Sequence, residues 1–483
     1  MLKKILACIL VLGTALLHVC GCSGSEGSAP EVTVDTAAGT AAETEAPAET
    51  DITDELPDKD FGGAVYTMIG VDYATRRNFA NEDESGEIVN DALAARDLAV
   101  SERYNVSIRT IAEDSADKIN SNVKKAVQAG DHAYDFVISS ISGSMISLMT
   151  GNLLYDLSGL EALSLDKPWW SPGMYENTRL NGTQYITTGD ISPMKYYAPY
   201  CLAYNRKLCE DYGHTDIDSS VLDGKWTADA FDKMITDSNS DLNGDGIIDG
   251  SDFFGYAHVN TEITAFSHYV GAGQKLSVTS SDGNVEIPIN TQASVSVIEK
   301  CGALISRSPG YPASDDKITI SMFKEDRALF FGNSYSNIIA NFRDMESDFT
   351  VIPTPKLDEA QPRYYSYINT WALSGTAVPA NISDPEMVGT VTEALCRYSY
   401  RDIRPDLYET VIKVKVARGD VDAVLLDIVF DNTYVDFNGI FNLGGSASAV
   451  ANAILTGSDF MSAYAKIENK IQGDIEKYLS FGG

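Results

Sequence analysis

The stretch DLNGDGIIDGSD, residues 241–252, places oxygen-bearing side chains at alternate positions around a glycine. Hard divalent cations take roughly six to eight oxygen ligands wrapped by a short turn. Asp241, Asn243 and Asp245 fall at the first, third and fifth places of such a loop, and Gly246 stands where the turn leaves no room for a Cβ. Ile247 offers its main-chain carbonyl, Asp249 reaches through water, and Asp252 closes the loop with a carboxylate one methylene shorter than the usual Glu. Ile248 is expected to point into a core. Four carboxylates in so short a span repel one another unless a cation lies between them. The loop is therefore expected to bind calcium, at about 10⁻⁴ to 10⁻³ M in an extracellular setting, as a brace away from any ligand. The alternative is a solvated turn whose acids cap its own backbone. A paired-loop module would need a second such loop and a following helix, whereas FFGYAHV reads as strand or turn.

No other constellation indicates catalysis. The chain has no HExxH, GxSxG or phosphate-loop motif and five His in all. A glycoside hydrolase would use two carboxylates about 5 to 10 Å apart, but 69 acidic residues always provide some pair. The 25 Tyr and 4 Trp cluster in MKYYAPY and RYYSYINTW. Tyr supplies both a flat face for the C–H side of a sugar ring and a hydroxyl donor. Trp169, Trp170 and Trp226 are expected as core or helix-staple residues. A net charge of −33 argues against nucleic acid and anionic lipid surfaces and suits a neutral or cationic ligand. Cys201, Cys209, Cys301 and Cys396 lack CxxC spacing, leaving either one Cys201–Cys209 bridge or four buried thiols.

The chain opens with MLKK and an apolar run, Ile5 to Val19, too short for a permanent membrane span. VCGC then matches a bacterial lipobox. Cys22 is the expected lipidation site, since Gly21 is small where Val19, before Cys20, is bulky. Residues 23–57 are rich in Ala, Thr, Ser, Glu and Pro and without Lys or Arg, a composition that cannot repay chain ordering. Residues 1–22 thus read as a lipoprotein signal and 23–57 as a disordered acidic tether. The protein is expected on the extracellular face of a bacterial membrane, lipid-anchored.

From Ala64 the apolar pattern alternates strand and helix: AVYTMIGV, GEIVNDALAARDLAVSERY, NVSIRTIA, the capped helix SADKINSNVKKAVQAG, and YDFVISS. A mainly parallel sheet with crossover helices follows, and such sheets bind ligands beyond the carboxyl ends of their strands. A second α/β pattern begins at YCLAYNRKL. The order YDFVISS, NGTQYITTGDISPMKYYAPYCLAYNRKL, WTADAFDKM, FKEDRALFFGNSY, DFTVIPTPKLDEAQPRYYSYINTWALSG resembles the extracellular solute-binding lipoproteins of ABC importers, of the maltose-binding type. The resemblance implies a type II periplasmic-binding fold, two α/β lobes joined by crossover strands and closing by a hinge. It places crossings near Tyr196–Tyr200, Val351–Pro355 and 410–420, giving lobe I as 58–197 with 353–412 and lobe II as 198–352 with 413–483. It implies a monomer that is not an enzyme, delivering a sugar to ABC permease subunits. A surface glycan-capture lipoprotein or a secreted glycoside hydrolase are the other readings. By position, the resemblance points to Tyr335 as the stacking aromatic, with Ser139, Ser140, Tyr197, Tyr200 and Trp371 lining the cleft. Ala198 stands where some members carry an acidic residue, a departure from the maltodextrin pattern.

Overall fold

A computed structural model describes residues 51–483, apart from 73–76, 82, 84–85, 180, 237, 281–283, 306–310, 414–418 and 481–483. The signal, Cys22 and the tether as far as residue 50 lie outside the described residues, whereas 51–57, expected as the end of the disordered tether, are packed on the folded body with Thr53 and Leu56 buried.

The first lobe is built on strands β1 (Ala64–Val71), β2 (Val106–Glu113) and β3 (Phe136–Ser140), all parallel, with a strand from late in the chain antiparallel to β3. β1 is central, and its side chains from Tyr66 to Val71 are buried, which is why it reads as an unbroken apolar run. The intervening helices, Ile88–Tyr104 and Ala116–Ala129, end on Asn105 and Gly130 in the left-handed conformation, and Ser115 caps the second.

The second lobe contains β4 (Tyr200–Asn205), β5 (Phe254–Val259), β6 (Tyr311–Ala313), β7 (Ala328–Ser334) and β8 (Phe349–Ile352), in the spatial order β8-β4-β7-β5-β6. β5, β6 and β7 are parallel, and β4 runs against β7 and β8. The strand that returns to the first sheet is β9 (Ser374–Ala377). Helices Ser446–Thr456 and Gln292–Ile305 share the core behind this sheet, where Trp226 and Phe330 stack.

The passage between lobes differs from the expected one. Pro199 bridges Ile368, and Asn369 N donates to Ala198 O, so the outgoing and returning segments lie side by side. Residues 353–367, assigned above to lobe I, pack against lobe II instead. Trp226 Nε1 donates to Pro353 O, Tyr364 OH to Val221 O and Gln361 Nε2 to Gly271 O. Likewise Leu407, Val411 and Ile412 join the lobe II cluster around Phe331 and Phe342, so the chain leaves lobe I before the expected 412. The remainder of that third crossing, 414–418, is outside the described residues.

At its start the described chain is fastened to lobe I by three arginines. Arg401 Nη1 donates to Asp51 Oδ2 at 2.7 Å and Thr53 Oγ1 at 2.8 Å, Arg397 Nη1 to Ile52 O at 2.8 Å, and Arg103 Nη2 to Leu56 O at 2.8 Å. Thr53 and Leu56 are buried beneath them. All four cysteines of the folded region are buried free thiols, which resolves the open choice against a Cys201–Cys209 bridge.

Candidate functional site

Because β4 opposes its neighbours, its amino end meets the carboxyl ends of β5, β6 and β7 along one edge of the second sheet. A cavity of about 860 Å³ opens there. Tyr200 enters from β4, and Thr261, Glu262 and Thr264 follow β5. Ser314, Asp315 and Asp316 follow β6, while Asn333 is the penultimate residue of β7 and Asn337 lies one helical turn later. Asn369 and Trp371 join from the segment returning to lobe I.

The polar groups are held in place by one another. Asp316 Oδ1 accepts from Asn333 Nδ2 at 3.0 Å, and Asn337 Nδ2 donates to Asn333 Oδ1 at 2.9 Å. Asp315 caps the helix Asp316–Lys324 by accepting from Lys317 N. Asn369 Nδ2 donates to Ser334 Oγ at 2.9 Å while its Oδ1 accepts from Trp371 N at 3.0 Å, tying the indole's backbone to the end of β7. The Trp371 ring itself is 65% exposed, an apolar face kept in water beside a polar cavity.

Behind this wall lies a buried chain of hydroxyls and imidazoles. The Tyr200 hydroxyl is 3.3 Å from that of Tyr256 and 3.4 Å from Thr264 Oγ1, and Tyr256 OH is 2.9 Å from His268 Nε2. A Cβ on Gly332 would fall 2.3 Å from the Tyr256 hydroxyl and 2.6 Å from that of Tyr200, so the pair requires glycine there. Burial raises both phenols, which stay protonated. It pushes the neighbouring imidazoles down, His258 to about 4 and His268 to about 3.

Of the residues expected to meet ligand, Tyr200 and Trp371 line the cavity and the others do not. Tyr335 is fully buried, its hydroxyl donating to Ile412 O and its ring edge-on to Phe430. It begins the helix Tyr335–Phe342, whose buried face is Tyr335, Ile338, Ile339 and Phe342, so stacking on a ligand is corrected to a core role. Tyr197 lies in the same core cluster. Ser139 is wholly buried, and Ser140 precedes the helical turn Ile141–Met145; neither lines the cavity. Missed were Glu262, Asp315, Asp316, Asn333, Asn337 and Asn369. The carboxyl-end rule, applied to lobe II as it was to lobe I, would have found the first four.

The acidic loop follows helix Ala228–Thr236 and is closed by a bridge between Ser240 and Phe253. Asp241 accepts from Gly244 N and Gly246 N, Asp245 from Ile247 N, and Asp249 from Ser251 N. Asn243 Oδ1 accepts from Asp245 N. Asp252, fully buried, accepts from Leu242 N and Asp249 N, and Arg327 Nη1 donates to the carbonyls of Gly250 and Asp252. Gly244 and Gly246 take positive φ, +74° and +79°, which a side chain would strain. Ile247 and Ile248 are both exposed, so the expected core role of Ile248 is corrected. Among the described residues, no three Asp, Glu, His or Cys side chains are gathered as a metal-holding set.

Two α/β lobes joined by adjacent crossing segments, with a polar cavity at the crossing, define a two-lobed solute receptor. The chain belongs to the bacterial extracellular solute-binding protein family, whose model matches residues 99–392. It is thereby a binding protein and not an enzyme. Among solved structures it is similar to UgpB from Mycobacterium tuberculosis in complex with glycerophosphocholine (TM-score 0.54, 15% identity, 86% of this chain and 99% of that one). It is also similar to the galacto-N-biose-/lacto-N-biose I-binding protein of an ABC transporter from Bifidobacterium longum, in complex with lacto-N-biose (0.53, 13%, 87% and 99%). The maltose/maltodextrin-binding domain MalE from Bdellovibrio bacteriovorus, bound to maltotriose, gives 0.52 at 13% identity over 86% and 100%. Curated protein sequences give no match. Among the described residues, no helix is long and apolar enough to cross a membrane.

Proposed function

We propose that the protein is a lipid-anchored receptor on the extracellular face of a bacterial membrane that closes on a carbohydrate and delivers it to an ABC importer. The observation carrying this reading is the cavity itself, where an exposed indole stands beside amides, carboxylates and hydroxyls on the edge of a sheet. Sugar rings need that pairing of a flat apolar face with convergent hydrogen-bond partners. Several solute-binding proteins of the same fold have saccharides in their solved structures. The lipobox and acidic tether support anchoring through Cys22. The receptor works as a monomer, and its partner is the permease.

A thermal-shift screen over mono- and oligosaccharides tests the reading. At ligand a hundredfold over its dissociation constant, stability should rise by about 2.7 kcal/mol. Trp371→Ala should weaken saccharide binding by roughly 1–2 kcal/mol, about five- to thirtyfold, from the loss of an aromatic contact. Its melting temperature should match wild type, because the ring is mostly in water. Equal affinities in titration calorimetry would remove the indole from the site.

The loop Asp241–Asp252 is proposed to bind calcium through Asp241, Asn243, Asp245, the Ile247 carbonyl, Asp249 and Asp252. The ordered carboxylates and the glycine turns support this, since the oxygens that now accept loop N–H groups are those a cation would draw inward. Calcium far above its dissociation constant should raise the melting temperature, and chelator should lower it, with saccharide preference unchanged. The calcium response should vanish in Asp241→Ala; its persistence there would place the ion elsewhere.

A further inference from the structure

The cavity carries charge of one sign. Glu262, Asp315 and Asp316 line it, and no Lys, Arg or His does among the described residues. Asp316 is bound by the amides of Asn333 and Asn337, which orient its carboxylate without neutralising it. Asp315 is turned onto a backbone N–H, also uncharged. The three carboxylates come from two loops that follow neighbouring parallel strands, β5 and β6, so they face a common space. A neutral sugar asks for acceptors and donors in similar number, whereas this wall is rich in anionic acceptors. Beside it stands the Trp371 ring, 65% exposed, and an aromatic face attracts cations through its quadrupole. Carboxylates and an open indole around one cavity form a combination that a cation satisfies on both sides.

We infer that the cleft selects a ligand carrying a protonated amine, in the form of an amino sugar. This rests on the carbohydrate-receptor reading for the sugar and on the lining charge for the amine. The ammonium donates to Asp316 and its acidic neighbours while the ring face lies against Trp371. The net charge of −33 adds long-range attraction for cations over the whole molecule.

The test is calorimetric titration of the tether-free protein in mildly acidic buffer with glucosamine, galactosamine, mannosamine and the β-1,4 dimer of glucosamine. Each is paired with its 2-hydroxy counterpart, and spermidine serves as an amine without a sugar. At least one amino sugar should bind about tenfold or more tightly than its hydroxyl counterpart, the worth of one charge-assisted hydrogen bond. That advantage should shrink as salt is raised. In Asp316→Asn, and separately in Glu262→Gln, the amine-to-hydroxyl affinity ratio should fall several-fold. Melting curves establish that both variants fold. Hydroxyl sugars binding as well as their amines would overturn this inference and leave the carbohydrate reading standing. Spermidine binding with no saccharide bound would uphold the amine and end the carbohydrate reading. Binding of neither class would end both.

Discussion

Glu393→Ala is expected to cost about 3–5 kcal/mol of stability, the scale on which removing one partner of a buried ion pair acts. Against a native stability of roughly 5–15 kcal/mol, this leaves lobe I marginal. Glu393 is 1% exposed and accepts four hydrogen bonds. Its Oε1 accepts from Trp169 Nε1 at 2.8 Å and Arg397 Nε at 2.9 Å; its Oε2 accepts from Trp170 Nε1 at 2.8 Å and Ser164 N at 3.2 Å. Truncation strands two buried indoles, one amide and the Nε–H of the Arg397 guanidinium, which lies 4.3 Å from the centre of the Trp169 ring and keeps only its Nη1 contacts to Ile52 O and Glu55. Glu393→Gln should fall between the two, since its amide nitrogen faces donors. Chemical denaturation with tryptophan fluorescence reads the effect directly, and a loss below about 1 kcal/mol for the alanine variant would mean that water satisfies these groups.

Acid is expected to destabilise the protein through His258 and His268. Both are buried, and desolvation holds them at about 4 and 3 in the folded state, against about 6.5 in an unfolded chain. Above pH 6.5 neither state binds a proton. Between 6.5 and about 4 the unfolded imidazole takes up a proton that the folded one refuses, so stability falls as the pH falls. Each histidine contributes a slope of up to about 1.4 kcal/mol per pH unit, or roughly 3 kcal/mol over the window. His268→Gln retains a partner for the Tyr256 hydroxyl but removes the titration. Its stability should therefore decline less steeply than wild type from pH 6.5 to 4, and parallel curves would show that His268 is protonated within the fold.

The parts of the architecture legible in the sequence are those where burial leaves a periodic trace. Central parallel strands such as Ala64–Val71 are apolar on both faces, and capped helices such as Ala116–Ala129 carry Ser115 and Gly130 at their ends. Tyr335 was misread because an aromatic after a strand fits either a ligand or a core. The spacing of Tyr335, Ile338, Ile339 and Phe342 already marks a buried helical face and decides between them. Asp315 and Asp316 were hidden because an acidic pair before a helix has an ordinary explanation as a cap, a role that Asp315 does fill. The return crossing was placed too early because the resemblance fixed it only by position, just after the segment that forms β8. Nothing local records that Trp226, from a distant helix start, then holds the segment to lobe II.

The three arginines that fasten Asp51–Leu56 determine where mechanical load enters the molecule. A pull along the upstream chain would be received first by Arg103, Arg397 and Arg401 on the helices of one lobe, away from the paired segments at Pro199 and Ile368. If the chain is anchored through Cys22 as proposed, that lobe would be the stator and the other the moving jaw. Under the proposed anchoring and closure, tension on the anchor would then leave the hinge unloaded, and an attached molecule would capture ligand against the same hinge as a freely diffusing one.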